Sequence, residues 1–365
     1  MENMKKTCLH DRHEAMGALM SPFAGWHMPI QYAGIEDEHM AVRGGCGVFD
    51  VSHMGEVMVS GKDAEVFVNE IFTNDVRDMP SGKILYGMML NADGGVIDDL
   101  LVYKIAEEKY MLVINAGNID KDIAWIRRQA AGRDVTINDF CDATGQLAVQ
   151  GPQASHVVAA QLGLDCEPLD FYTFAVYDYK GEKILVSRTG YTGEDGFEIY
   201  ASPQIIVAMW DVLTASGSCA PCGLGCRDTL RFEAGLPLYG DELTELTTPL
   251  EAGLGMFVKL DKPSFIGRDA LLRQKEGGLR RKLVGLELLG PGIARHGYQV
   301  LDAEGNEIGT VTTGYKSISL GKSIAMAMVD SRFAALDTRV HVQIRRKTVP
   351  AVVIKKRFYQ PKYKK

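Results

Sequence analysis

Ala64, Phe67, Val68 and Ile71 recur at helical spacing within residues 62–72, the stripe of an amphipathic helix. Residues 84–90 and 96–105 read as strands, and a third follows the Glu107-Glu108 turn at 110–114. Asn118 stands where it would cap a helix running to residue 128. Residues 147–149 read as a strand, and Pro152 opens a helix to residue 162. Paired strands at 172–179 and 183–188 and a third at 196–200 lead to a helix opened by Pro203 and ending near 213; residues 221–234 read as one more helix. Elements alternate without a repeated βαβ unit and hairpins are frequent, which predicts an α+β class. Beyond about residue 280 the period changes to two. Val284, Leu286 and Leu288 share one face, and Val340, Val342 and Ile344 alternate with His341, Gln343 and Arg345. With a hairpin turn at 302–306, this predicts a small closed or sandwich-like all-β domain, and Gly277-Gly278 is the expected boundary.

A length of 365 residues fits two or three domains at roughly 150 residues each. No apolar run approaches the ~18 residues of a membrane span. The first fourteen residues are polar with both signs of charge, so a cytoplasmic protein, or a mature form without its leader, is expected. The seven cysteines are scattered, which favours free thiols over a disulfide framework. Cys219, Cys222 and Cys226 form C-x2-C-x3-C, but no fourth ligand completes a metal set. Residues 345–365 hold nine Lys or Arg and no acid; setting these aside, a net charge of −7 leaves −16 on the other 344 residues. Such a tail suits an acidic partner or a polyanionic ligand, or a solvated strand edge. No aromatic-rich basic motif accompanies it, so nucleic acid is not expected.

Three segments carry candidate chemistry. Asp98 and Asp99 follow Gly94-Gly95 and precede Leu100-Leu101-Val102-Tyr103. Successive strand side chains point to opposite faces, so one acid of the pair can look into a given pocket; locally, two solvated hairpin acids fit as well. The run from Ser187 to Glu198 has glycines at 190, 193 and 196, with Tyr191 a candidate stacking ring and Glu198 a candidate internal carboxylate, or a surface acid beside a tight turn. Arg227 and Arg231 share a helix face, where a guanidinium orients a buried Glu or joins surface ion pairs. His10-Asp11-Arg12-His13-Glu14 is a weak metal signal. Phosphate-loop, dinucleotide and serine-elbow motifs are missing, so neither nucleotide-dependent chemistry nor serine hydrolysis is expected.

Taken in order, several segments resemble the glycine cleavage system T-protein family, the tetrahydrofolate-dependent aminomethyltransferases. They are Gly47-Val48-Phe49-Asp50-Val51-Ser52-His53-Met54-Gly55-Glu56, the run from Gly94 to Leu100, Arg188 to Glu198, and Gly223 to Gly240. Leu250-Glu251-Ala252-Gly253-Leu254, Phe265-Ile266-Gly267-Arg268 and the aromatic, basic C-terminus extend the resemblance over essentially the whole chain. It implies a three-domain cloverleaf around a central folate funnel: residues 1–50 with 140–245, residues 51–139 with 246–278, and a barrel-like C-terminal β domain at 279–365. It places the catalytic acid at Asp99. It assigns folate-binding positions to Tyr86, Tyr172, Tyr191 and Tyr363, to the polar pair Glu198 and Arg227, and to Met54 and Asn115.

The implied donor is an aminomethyl group on the dihydrolipoyl arm of the H-protein. The acceptor is tetrahydrofolate, and the products are 5,10-methylenetetrahydrofolate, ammonia and reduced H-protein. Metal, flavin and nucleotide are not expected. A related iron–sulfur-assembly branch carries K-G-C-[FY]-x-G-Q-E; here Lys262-Pro263-Ser264-Phe265 has no cysteine, which favours the transferase. A sarcosine- or dimethylglycine-type demethylase would add a flavin domain, of which no fingerprint is present. A non-catalytic module for a lipoylated partner is the remaining alternative, and Asp99 argues against it.

Overall fold

The computed structural model describes residues 4–363. Lys364 and Lys365, which end the basic tail, lie outside them. Among the described residues, two sheets and a closed barrel carry the architecture, with a two-stranded hairpin, Leu19–Phe23 and Trp26–Gln31, beside them.

The first sheet has six strands in the order Phe174–Tyr179, Glu182–Ser187, Gly196–Ala201, Gly145–Gln150, Gly47–Asp50, Ala220–Cys222. Its neighbours run antiparallel except the last pair, which is parallel. Helices Ala154–Leu162 and Pro203–Ala215 cover one face, packing Val158, Ile206, Met209 and Trp210 on Leu147, Val149, Phe197 and Ile199. Ser202 caps the second helix by accepting Ile205 N–H, and Pro203 occupies the first turn, where its missing N–H has no partner to lose. The helix expected over 221–234 is shorter than the pattern suggests: Ala220–Cys222 joins the sheet edge and Leu224–Glu233 alone is helical. Three residues ahead of a helix are too few for a periodicity of two to register.

The second sheet is antiparallel, in the order Ile84–Leu90, Val96–Ala106, Lys109–Ile114, Gly55–Ser60, Thr136–Asp139. Helices Ala64–Ile71 and Ile119–Gln129 bury Phe67, Val68, Ile123 and Ile126 against Leu100, Val102 and Leu112. Asn91-Ala92-Asp93-Gly94-Gly95 makes the expected tight connection between the first two strands. Asn91 N–H donates to the Gly95 carbonyl at 2.9 Å, and Gly94 has φ +87°. Gly95 is obligatory, because a Cβ there would stand 1.8 Å from the Glu245 carbonyl oxygen. Lys262 is fully buried, and its ammonium donates to the carbonyls of Asn69, Phe72 and Asn74 at 2.5–2.8 Å. One cation thus ties the segment after residue 246 to the end of helix Ala64–Ile71.

The period-two region forms a closed antiparallel barrel: Arg281–Leu288, Ser323–Asp330, Glu307–Lys316, Gln299–Leu301, Arg339–Ile344, Lys347–Ile354 and back to the first. Val284, Leu286, Leu288, Val340 and Val342, all on the expected inward face, fill it with Val300, Val311, Val329 and Val353. Closure removes the open edge that lysines would otherwise guard.

Candidate active site

The two sheets and the segment after the barrel converge on one central cavity of about 660 Å³, a size suited to a small-molecule ligand. Its lining includes Met54, Tyr86, Asp99, Asn115, Tyr172, Tyr191, Glu198 and Arg227, so positions spread over more than 170 residues of sequence meet there. Tyr363 is not part of this lining. It stacks on Phe171 with ring centroids 4.6 Å apart and an interplanar angle of 18°, and Phe171 in turn meets Tyr172 edge-on at 4.6 Å. Tyr172 itself has φ +60°, an uncommon conformation for a bulky residue and one met at functional sites.

The strand Val96–Ala106 separates the two acids. Asp98 lies with Leu100 and Val102 toward the helix-covered core and is fully buried; Asp99 is half-buried on the opposite face and opens onto the cavity. Neither is a solvated hairpin acid, the alternative that local reading leaves open. Asn115 bridges them. Its backbone N–H donates to Asp98 Oδ2 at 2.9 Å, and its side-chain Nδ2 reaches Asp98 Oδ1 at 2.9 Å and Asp99 Oδ1 at 3.0 Å. Asn118 occupies the expected N-cap position but makes no side-chain cap; its Nδ2 donates to Asp98 Oδ1 at 2.6 Å instead. Tyr86 Oη–H donates to Asp99 Oδ2 at 2.9 Å. Burial, followed by the negative charge on Asp98, pushes the Asp99 carboxyl up to about 7 against the lowering effect of Tyr86 and Asn115.

Glu198 is buried on the central strand Gly196–Ala201, and Gln146 Nε2 and Thr189 Oγ1 donate to its two oxygens. Burial raises its carboxyl, with Thr189 and the charge of Arg227 opposing. Glu198 and Arg227, the polar pair that the resemblance implies, both line the cavity but share no hydrogen bond. The Arg227 guanidinium lies 4.8 Å over the Tyr191 ring, and its Nη1 is buried without a hydrogen-bond partner. Such an orphaned cationic N–H facing a cavity is a natural place for a ligand's acceptor atom. Arg231 is the arginine of the two that pairs with a buried acid, donating to Glu242 Oε2 at 2.8 Å, and it also reaches Asp228 at 2.7 Å.

Several lining residues escape the sequence reading. His53 sits in the Asp50–Glu56 motif without a role assigned there; burial and then Arg227 hold its imidazole down to about 4, against the pull of Asp50, so it is neutral. Phe23 and Ala24 come from the hairpin tip, and Tyr239, Met256 and Phe257 from segments with no regular period. Phe257 packs edge-on against Tyr86 at 4.8 Å. The basic tail divides. Lys356 turns into the cavity wall and donates to the Ala252 carbonyl, while Arg357 lines the cavity from an exposed position. Tyr359 Oη–H donates to Glu194 Oε1 at 2.6 Å beneath the Arg43 guanidinium, and Lys362 N–H to the Gly193 carbonyl at 2.9 Å. These contacts strap the chain after the barrel to the first sheet.

Among the described residues, two clusters hold metal-ligating atoms within 4.8 Å of one another, and both lie outside the cavity lining. In the first, His10 Nε2 and His27 Nδ1 share a hydrogen bond at 2.9 Å, with Glu14 nearby. In the second, Cys222 and Cys226 adjoin Glu38, whose oxygens already accept N–H bonds from Tyr32, Gly34 and Gly223. All seven cysteines are free thiols. No helix among the described residues is long and apolar enough to cross a membrane.

The family model for the GCVT N-terminal domain matches residues 9–262, and that for the glycine cleavage T-protein C-terminal barrel domain matches residues 281–360. The chain belongs to the glycine cleavage T-protein family. Relatives named aminomethyltransferase include one from Caldanaerobacter subterraneus subsp. tengcongensis, 50% identical, with all of this chain and 98% of that one covered. Another, from Alkaliphilus oremlandii, is 49% identical with both chains fully covered. The crystal structure of the glycine cleavage system aminomethyltransferase T from Bartonella henselae superposes with a TM-score of 0.94 at 35% identity, covering both chains completely. The α+β class and the C-terminal all-β barrel agree with this membership.

Proposed function

We propose that this aminomethyltransferase moves the methylene carbon of an aminomethyl group, carried on the dihydrolipoyl arm of an H-protein, to tetrahydrofolate, releasing ammonia and the reduced H-protein and forming 5,10-methylenetetrahydrofolate. The observation that carries the reading is the half-buried Asp99 at the cavity wall, held by Tyr86 and Asn115 with its proton affinity near neutrality. Breaking the bond between the donor carbon and its leaving group develops positive charge on that carbon. A carboxylate already fixed in a water-poor site stabilises such charge without reorganising, and one that titrates near pH 7 can take up a proton released as the folate ring closes.

The remaining lining suits a pterin. Tyr86, Tyr172 and Tyr191 offer aromatic faces with polar tips. Glu198 offers an acceptor to a ring edge rich in N–H groups, and the free Nη1 of Arg227 a donor. Tyr363 acts from behind, through Phe171, in support of Tyr172. Lys356 and Arg357 offer positive charge to the folate's carboxylates. The division into residues 1–50 with 140–245, 51–139 with 246–278, and 279–365 is supported by the way the strands sort into two sheets and a barrel.

Incubating the protein with aminomethyl-loaded H-protein should release ammonia only when tetrahydrofolate is present. Binding of both substrates without folate-dependent ammonia would replace the enzyme by a module that merely holds a lipoylated partner.

A further inference from the structure

Behind Asp98 lies a third acid. Asp122, on helix Ile119–Gln129, is fully buried, and neither of its oxygens has a hydrogen-bond donor among the described residues. It lies within hydrogen-bond reach of Asp98, which is equally buried. Two ionised carboxylates in such contact repel strongly, whereas one proton between them turns the contact into an O–H···O⁻ hydrogen bond. Asp98 already accepts from Asn115 N–H, Asn115 Nδ2 and Asn118 Nδ2, the pattern of an ionised acceptor. Asp122 has no such donors, so the proton belongs to Asp122.

We propose that Asp122, as a neutral acid, donates its proton's hydrogen bond to Asp98, keeps Asp98 ionised beside Asp99, and so acts as a positioning residue that sets the proton affinity of the cavity carboxylate. The catalytic part of this statement rests on the function proposed above. The groups facing the three acids agree with it. Tyr86 comes from the adjoining strand, and Tyr172, Tyr191 and Tyr239 from surrounding loops; all are neutral phenols near pH 7. Lys121 is the cation at hand, but its ammonium donates to the Ile97 carbonyl and Tyr239 Oη and stands 3.7 Å from Asp122 Oδ1, beyond hydrogen-bond length. Burial, followed by Asp98, pushes the Asp122 carboxyl up to about 10.

Carbon-13 spectra of aspartate carboxyl groups, recorded without substrate from about pH 5 to about pH 9, test the proposal directly. Asp122 should hold the protonated shift through neutrality, and Asp99 should titrate near 7. Asp122→Asn keeps a neutral donor to Asp98, so the Asp99 midpoint should stay within ~0.3 units. Asp122→Val removes that donor from beside Asp98, so the Asp99 midpoint should move by more than that. The acid limb of kcat/KM should follow the same pattern, unmoved in Asp122→Asn and displaced in Asp122→Val. An Asp122 that is ionised at pH 7, or Asn and Val variants with the same Asp99 midpoint, would overturn the proposal. The wild-type spectra decide the proton's location even where the Val variant does not fold. They give the same answer whether or not the protein releases ammonia, so failure of the proposed reaction is recognised separately.

Discussion

The interior of the C-terminal barrel and the wall of the central cavity are both shielded from water, yet they are filled by opposite chemistry. The barrel holds Val284, Leu286, Val300, Val311, Val329, Val342 and Val353. The cavity wall and the layer behind it hold Asp98, Asp99, Asp122, Glu198 and Arg227. Burying apolar area stabilises a fold without regard to direction, so the barrel interior tolerates exchange among similar volumes. A buried charge is tolerated only where named donors meet it. Asn115, Asn118, Gln146 and Thr189 supply those donors here, and a few groups, such as Arg227 Nη1, remain open for a ligand. One region invests in stability, and the other carries reactivity that stability elsewhere must support.

Four substitutions or conditions probe that contrast. The largest effect is expected from Asp99→Asn, which keeps the shape and removes the charge. Turnover should fall by about 10²–10³, roughly 3–4 kcal/mol, with no loss of melting temperature, as read by folate-dependent ammonia release and calorimetry. Leu286→Ala should do the reverse. A fully buried leucine of the barrel is truncated, so unfolding should become easier by about 3 kcal/mol while kcat of the folded fraction is unchanged, as measured by denaturant titration with activity assays. Next, Glu198→Ala should weaken tetrahydrofolate binding by about 2 kcal/mol, since ligand donors and Thr189 lose their acceptor; titration calorimetry with equal affinities for both proteins would remove Glu198 from the binding site.

The smallest effect concerns pH. The folded protein raises the Asp99 carboxyl from the usual 3.8 to about 7, so between those values the native state binds the extra proton and the unfolded state does not. Stability should therefore fall as pH rises through that window, and Asp99→Asn should escape the loss. The variant should gain on the wild type by on the order of 1–2 kcal/mol between about pH 4 and about pH 7, then hold that advantage at higher pH. Parallel stability curves would mean that the acid is not strained by its site.

Legibility divides along the same line. The barrel is readable because inward and outward positions alternate along each strand, as Val340, His341, Val342 and Gln343 do. The helix Ala64–Ile71 is readable for the equivalent reason at its own period. Most of the cavity positions are named through the ordered motifs, and the resemblance those motifs carry brings out Asp99, Tyr86 and Glu198. What escapes has no local signature. The Asn118 side chain serves Asp98 rather than the helix end because a stronger acceptor lies in reach. Arg227 stacks over Tyr191 rather than pairing with Glu198, while Gln146 and Thr189 take that acid first. Phe23 and Ala24 reach the lining from a hairpin tip whose residues follow no hydrophobic period.

Sequence alone determined the α+β class, the closed β unit after residue 280, and the opposite facing of Asp98 and Asp99, because each follows from a repeat of two or of about 3.6 residues written along the chain. Only the tertiary structure decided which donors meet each acid, which arginine is paired and which is left open, and where the described part of the basic tail lies. Those outcomes depend on burial and on donors contributed by residues distant in sequence. The electrostatic work of removing a charge from water is set by everything around it, and no local pattern along the chain records that surrounding.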